Sequence, residues 1–376
     1  MKVAVVFRHL RPHILHKDPA LLVSGLRAIG HDARMICPND SSGGAPFPVQ
    51  TASDGEVERA DFWRAQGLDA ALVYTWMGGA RKTVDALVEA GVQVVSKGDT
   101  DGQIGVPVHR WETFKRMVIP QDGLFDRLRA AWFWLKKYFW YHLEEERILA
   151  TMDRAAATIV EMASAREALG KFLRYYQRED LLNKIHVIRN PISETVLDAP
   201  IPEKRRLVVA IARWEEPGKD CHLMIKTLDR FLTGRTDTDV LVMGSGAPDW
   251  WNPLRKHPNF RYLGVVAHEV VRDHLGRAQV CVVSSRWEGC MLAVHEAVAM
   301  GATIAGPTIP VFSSIVGEGP FGTLSRSRHP AAVALALEAE LDAWRKGERD
   351  PAAIAAYWRP KLHPTEIARQ VAALMV

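Results

Sequence analysis

Glu288 and Glu296, two carboxylates separated by seven residues, stand in the segment AQVCVVSSRWEGCMLAVHEAVAMG from Ala278 to Gly301. A buried strand pattern ends at Ser284 and Ser285, a charged loop passes Arg286, Trp287 and Glu288, and a helix is predicted to begin near Gly289 to Met291. N–H groups at a helix start lack carbonyl partners inside the helix. Those of Gly289, Cys290, Met291 and Leu292 can therefore hold a phosphate or a sugar hydroxyl. The carboxylates can accept hydrogen bonds from vicinal hydroxyls of a pyranose or ribose. Taken alone, Glu288 also fits an acidic residue favoured near a helix N-terminus, and Glu296 a solvated one. His295 and Glu296 lie between apolar Val294 and Ala297, however, which is less expected of a solvated pair.

Two cations stand in a second loop. In AIARWEEPGKDCHLMIKTLDRFL a strand pattern ends at Ala212, and Arg213 and Lys219 precede the next helix. Fixed cations there can neutralise a pyrophosphate and the charge developing on a departing nucleoside diphosphate. A solvated surface loop has the same composition. In LVMGSGAPDW, Gly244 and Gly246 would let backbone approach a nucleotide, although the fragment is not a full GxGxxG. HEVVRDH, from His268 to His274, is no zinc site, because Arg272 occupies the second histidine position of HExxH.

These loops need strands and helices to hold them. Short apolar runs, Val3 to Phe7, Ala33 to Ile36, Ala70 to Tyr74, Val92 to Val95, Ala157 to Val160 and Ile185 to Ile188, alternate with helical patterns. The helices are predicted over Pro19 to Ile29, Arg81 to Ala90, Ala163 to Phe172 and, as one long element, Leu124 to Thr151. This is the βαβ pattern of a sheet buried on both faces. After Asn190 the chain turns polar and proline-rich as far as Arg206, which sets an expected domain boundary. A second series follows, with strands at Leu207 to Ile211, Val240 to Met243, Phe260 to Leu263, Val280 to Ser284 and Thr303 to Ala305. Expected domains are thus residues 1–190 and 191–359, with a helix in 360–376 packing back on the first. Two such domains imply a cleft with ligands at the carboxyl ends of strands.

The 376 residues, 48% hydrophobic and 24% charged, fit a folded chain of two domains that need no metal or disulfide staple. A net charge of +4 over this length allows anionic substrates but does not suggest nucleic acid. Cys37, Cys221, Cys281 and Cys290 lack metal-ligand spacing and read as free thiols of a reducing, cytoplasmic setting. The N-terminal MKVAVVFRHLRPH reads as a first strand rather than a leader.

The motifs together resemble retaining glycosyltransferase family four (group 1) of the GT-B fold. That family has two glutamates separated by seven residues ahead of an EAMA-like helix and a glycine, here Glu288, Gly289, Glu296, Ala297, Val298, Ala299, Met300 and Gly301. The resemblance implies two Rossmann-like domains facing each other across a cleft. It implies transfer from a nucleoside diphosphate sugar of UDP or GDP type, with retained configuration and neither metal nor other cofactor. Arg213 and Lys219 match the pair that binds the donor diphosphate; Glu296 would bind ribose, and Glu288 the donor sugar. Backbone near Val265 and Val266 would hold the base, and Thr308, Ile309 and Pro310 match a loop touching the outer nucleotide sugar. Ala212 replaces the usual glycine, and the loop through Trp214, Glu215 and Glu216 is a residue long.

The first domain matches the family only in outline. Where the family has a glycine pair after strand one, this chain has FRHLRPHILHKD, so Arg11, His13, His16 and Lys17 are candidates to line an acceptor site. The missing glycines also argue against a dinucleotide-dependent oxidoreductase. Asp99-Thr100-Asp101 matches the metal-binding DxD of the other large glycosyltransferase fold, but its context favours contact with acceptor or donor hydroxyls, or a plain turn. The acceptor, whether glycan, lipid-linked or small molecule, is left open. A non-catalytic sugar-nucleotide or glycan-binding protein is the alternative. Phe125 to Ala150 carries aromatics on several faces beside Arg127, Arg129, Lys136 and Lys137; core packing, peripheral membrane contact, an acceptor groove and a homodimer surface all fit it.

Overall fold

The computed structural model describes residues 1–75, 80–121 and 123–376. The chain divides into two compact units, Met1–Ser193 with Leu362–Val376, and Glu194–Lys361.

The first unit runs β1 (Lys2–Val6), α1 (Asp18–Ala28), β2 (Asp32–Cys37), β3 (Val49–Thr51), α2 (Asp54–Val57), α3 (Ala60–Gln66), β4 (Ala70–Tyr74), α4 (Arg81–Glu89) and β5 (Gln93–Lys97). It continues through α5 (Arg110–Met117), α6 (Leu124–Phe139), α7 (Leu143–Arg154), β6 (Ala157–Val160), α8 (Ala163–Tyr175) and β7 (Ile185–Val187). Its sheet is parallel in the order β3-β2-β1-β4-β5-β6-β7, with Val3 opposite Ala33 on one side and Ala70 on the other. Successive strand residues point to opposite faces, and the packing follows that parity. Val3, Val5, Met35 and Leu72 join Leu22 and Leu26 of α1 in one core, whereas Ala4, Ile36, Ala71 and Val73 join Trp63, Val84 and Leu87 in the other. Both faces are buried, so the strands read as continuous apolar runs.

The second unit runs α9 (Glu194–Leu197), β8 (Arg205–Ile211), α10 (Cys221–Leu232), β9 (Asp239–Met243), β10 (Phe260–Gly264), α11 (His268–Arg277) and β11 (Ala278–Val282). It is completed by α12 (Leu292–Ala299), β12 (Thr303–Pro307), α13 (Pro310–Gly317), β13 (Gly322–Ser325), α14 (Pro330–Arg345) and α15 (Pro351–Leu362). Its parallel sheet has the order β10-β9-β8-β11-β12-β13. Chain order reverses between β8 and β11, which lie side by side with Val208 opposite Val280. Just outside the carboxyl ends of such a pair, loops diverge and leave room for a ligand.

The last helix, α16 (Pro364–Ala372), returns to the first unit. Its Ile367, Ala368 and Val371 complete the core under α1, and a Cβ on Gly25 would lie 2.4 Å from the Pro364 carbonyl oxygen.

One expected element is corrected. Leu124 to Thr151 is two helices, α6 and α7, with a break at Trp140–His142. Glu144, Glu145 and Glu146 fill the first turn of α7, where the positive end of the helix dipole favours acidic residues and a new N-terminus forms. The strands β3 and β13 and the helices α2, α3, α5, α9, α13 and α15 had no expectation attached to them.

Candidate functional site

The loop after β8 and the loop after β11 meet across the reversal point of the second sheet. The first makes a tight turn at Pro217–Lys219 and reaches Asp220, whose φ of +49° is unusual for a residue with a side chain. Asp220 tolerates it because its carboxylate is held at three points. It accepts from the Leu223 N–H (3.3 Å) as N-cap of α10, from Arg286 Nε (2.9 Å) and from Arg328 (2.7 Å). Burial pushes this carboxyl upward, but the two arginines outweigh that and leave it below the ordinary carboxylate range.

The two loops are also stitched through backbone. Ser284 Oγ donates to the Lys219 carbonyl (2.6 Å) and the Arg286 N–H to the Gly218 carbonyl (2.7 Å). Arg328 donates to the carbonyls of Ser284 and Ser285, both at 2.7 Å. A Cβ on Gly218 would lie 2.9 Å from the Trp287 indole nitrogen, so the turn is closed against the second loop.

This frame brings Lys219 and Glu288 together. Lys219 Nζ donates to both carboxylate oxygens of Glu288, at 2.7 and 2.8 Å, with both side chains largely buried. They lie 69 positions apart in sequence, and neither position alone suggests the pair. Arg213 sits elsewhere on the first loop, exposed and paired with Glu216 at 2.9 Å. Of the two expected diphosphate cations, then, the fold buries Lys219 against Glu288 and leaves Arg213 exposed, with Glu216 as its partner.

Residues Gly289, Cys290 and Met291 lead into α12, whose first-turn N–H groups at Leu292 and Ala293 have no carbonyl within the helix to bond. Cys290 Sγ lies 3.5 Å from Nδ1 of buried His295. Glu296 is buried one turn further on, and its Oε1 lies 3.1 Å from Nε2 of His268, the first residue of α11. The hydrogen bond that His268 donates to Glu296 raises the His268 pKa above its ordinary value, against a smaller opposing effect of burial. His268 follows the short loop that carries exposed Val265 and half-exposed Val266.

Gly244, at φ +116°, closes β9 onto the first loop: a Cβ there would lie 1.8 Å from the Ala212 carbonyl oxygen. Trp214 anchors the same loop through Nε1 to the Met243 carbonyl (2.8 Å), and Tyr262 donates to the Gly244 carbonyl (3.0 Å). The longer loop is therefore a braced one.

In the first unit, Asp99 is exposed after β5, while Asp101 forms a two-pronged ion pair with Arg116 of α5 and accepts from the Gln103 N–H at 3.2 Å. The two aspartates thus have separate environments. Arg11 and His13 are exposed, and His16 and Lys17 half-buried, around the turn Pro12–His16. Among the described residues no three His, Cys, Asp or Glu side chains are placed to hold a metal ion.

Sequence reasoning missed a buried ionic cluster at the carboxyl ends of the first sheet. Lys97, the last residue of β5, donates to Glu161 (2.8 Å) and lies 3.9 Å from Asp18, which accepts from the Tyr74 hydroxyl (2.7 Å). Burial pushes the Glu161 carboxyl up to about 7 although Lys97 pulls it back. A lysine closing an otherwise apolar strand, VVSK, was the available signal. His268, Asp220, Ser284 and Arg328 were likewise missed. Only Asp220, directly before a helical pattern, had a local signature, that of an N-cap.

Residues 205–342 match the family model described as Glycosyl transferases group 1. A phosphatidyl-myo-inositol mannosyltransferase of Mycolicibacterium smegmatis is 25% identical over 175 residues, 44% of this chain and 45% of its own length, so the match spans less than half of that relative. A glycosyltransferase structure from Rickettsia africae superposes with a TM-score of 0.71 at 11% identity, covering 99% of this chain and 97% of the other. Anabaena Alr3699/HepE in complex with UDP and glucose does so at 0.64 and 13% identity, covering 99% and 98%. The chain has a GT-B fold. Its second unit, which holds the Lys219–Glu288 and His268–Glu296 pairs, is related to the group 1 glycosyl transferases.

Proposed function

We propose that this protein is a glycosyltransferase that moves a sugar from a nucleoside diphosphate sugar to an acceptor with retention of configuration. The observation that carries the reading is the buried Lys219–Glu288 pair at the strand-order reversal of a unit matching the group 1 model. In this reading Lys219 holds the leaving diphosphate, Arg213 swings from Glu216 to join it, and the N–H groups from Gly289 to Leu292 take phosphate or sugar oxygens. Glu288 accepts from hydroxyls of the transferred sugar. Glu296, oriented by His268, accepts from the ribose. Backbone at Val265 and Val266 meets the base, and Gly244 lets the main chain approach the nucleotide.

No side chain need form a covalent bond. The leaving phosphate takes the acceptor proton on the face from which it departs, and the new glycosidic bond forms there. A UDP donor is supported by the UDP and glucose held by the Anabaena protein, and a lipid-linked acceptor by the name of the mycolicibacterial relative. We assign the acceptor to the first unit, with exposed Asp99 a better contact than Asp101, whose carboxylate already serves Arg116.

The test incubates the chain with UDP-glucose and, separately, GDP-mannose, with and without lipid and glycan fractions, and follows nucleoside diphosphate release and the anomeric configuration of the product. Acceptor-dependent release with a retained product is expected. Donor binding without turnover under every acceptor would identify a sugar-nucleotide-binding protein instead, and an inverted product would overturn the stereochemical part.

A further inference from the structure

Helix α6 has no buried residue, yet it is one of the most aromatic stretches of the chain. One flank is accounted for. Trp134 meets Phe114 of α5 edge-on at 5.5 Å, stacks on Tyr138 at 5.6 Å and donates to Thr113 Oγ1 at 3.1 Å. A second flank stays exposed among the described residues, where Phe139 meets its chain neighbours Tyr138 edge-on at 4.7 Å and Trp140 at 5.2 Å. Leu124, Leu128, Leu135 and Phe139 recur at helical spacing with Phe125 and Trp132 beside them, all six within an arc of about 100° at 3.6 residues per turn. Every one is exposed, from 39% at Leu135 to 77% at Phe125. Scattered apolar residues on a surface are ordinary, but a contiguous row of six on one helix face marks a contact site.

Charge selects the occupant. Arg129 and Lys136 flank the arc beside Phe125 and Trp132. Residues 110–143 hold seven Lys and Arg against three Asp and Glu; Arg116 pairs with Asp101, Lys137 with Glu144 and Arg129 with Asp126, which leaves Arg110, Lys115, Arg127 and Lys136 outside those pairs. A second copy docking by this same face about a two-fold axis would set these cations against themselves. An anionic lipid surface accepts both parts: acyl boundary for the apolar row, headgroup phosphates for the cations, and an interface depth that suits tryptophan. Among the described residues no helix is long and apolar enough to cross a membrane, so the contact is one of lying on it.

We propose that α6 docks the protein in its plane on an anionic bilayer, through the Leu124–Phe139 row and its flanking cations. This goes beyond the transfer reading and does not depend on it.

The full chain is sedimented with vesicles of phosphatidylcholine alone and of phosphatidylcholine with phosphatidylglycerol, and its tryptophan emission recorded. Binding to the anionic vesicles with a blue shift is expected. Leu128→Ser/Trp132→Ser/Phe139→Ser, at exposed positions, should reduce partitioning at least about tenfold with an unchanged circular dichroism spectrum. Arg129→Gln/Lys136→Gln should weaken only the preference for anionic vesicles. Failure to bind either vesicle, or equal binding by the serine variant, would overturn the proposal. So would a dimer in solution that the serine variant converts to monomer while vesicles capture neither.

Discussion

Lys219 and Glu288 hold each other inside the second unit, so removing either has two effects that need separating. Lys219→Ala should lower kcat/KM at least roughly a hundredfold by deleting the cation we assign to the diphosphate. It also strands a buried carboxylate, at about 3–5 kcal/mol of stability. The double variant Lys219→Met/Glu288→Leu should recover most of that stability in urea unfolding while staying inactive; recovered activity would remove both residues from the mechanism. His268 offers a pH test. Its folded pKa is raised above the ordinary 6.5 by Glu296, so the stabilisation is fully present below pH 6.5 and fades as pH rises through the folded value. The Tm difference between wild type and His268→Gln should therefore be larger at pH 5.5 than at pH 8.5. A difference independent of pH would mean the histidine acts by packing alone. Both glutamates and Lys219 were legible as residue types at suggestive spacings. Their partners were not, because Lys219–Glu288 and His268–Glu296 join strands and helices far apart in sequence.

Strands and helices announced themselves where burial on both faces made apolar runs, as in β1, β4, β8 and β11. Short β3 and β13, which depend on neighbours for pairing, carried too few residues for a period to show. The break between α6 and α7 was written in three consecutive glutamates, but the aromatic run across it hid the end of one helix and the start of the next. Loop closure was partly readable: Gly244 invited a backbone-approach reading, and the structure supplies a definite neighbour, the Ala212 carbonyl. Gly244→Ala should destabilise the second unit by roughly 2–4 kcal/mol, since both the positive φ and the 1.8 Å approach to backbone oppose a Cβ. Urea unfolding measures it. A loss within about 0.5 kcal/mol, the range of ordinary surface substitutions, would show that the braced loop relaxes freely.

Over the whole molecule, the two α/β sheets followed from alternation of strand and helix patterns, and the GT-B fold from the resemblance of the second series to glycosyltransferase family four. What alternation does not reveal is which distant segment seals which core. Ile367, Val371 and Met375 lie against α1 in the first unit, at about 1.5–3 kcal/mol for each large apolar side chain kept from water. A chain ending at Lys361 should therefore lose the first unit's cooperative unfolding and bind a hydrophobic dye, while the second unit retains its own transition. A first unit that unfolds as sharply as in the full chain would show α16 to be dispensable.

The Ile192 N–H donates to the Leu362 carbonyl at 3.1 Å, so the points where the chain leaves the first unit and re-enters it are side by side. The second unit is in effect an insert between two neighbouring positions of the first. During synthesis from the N-terminus, all of Glu194–Lys361 emerges from the ribosome before Pro364–Ala372 does. The second unit can thus fold first, while the first waits with the apolar face of α1 uncovered, a face for chaperones to guard until Pro364–Ala372 arrives.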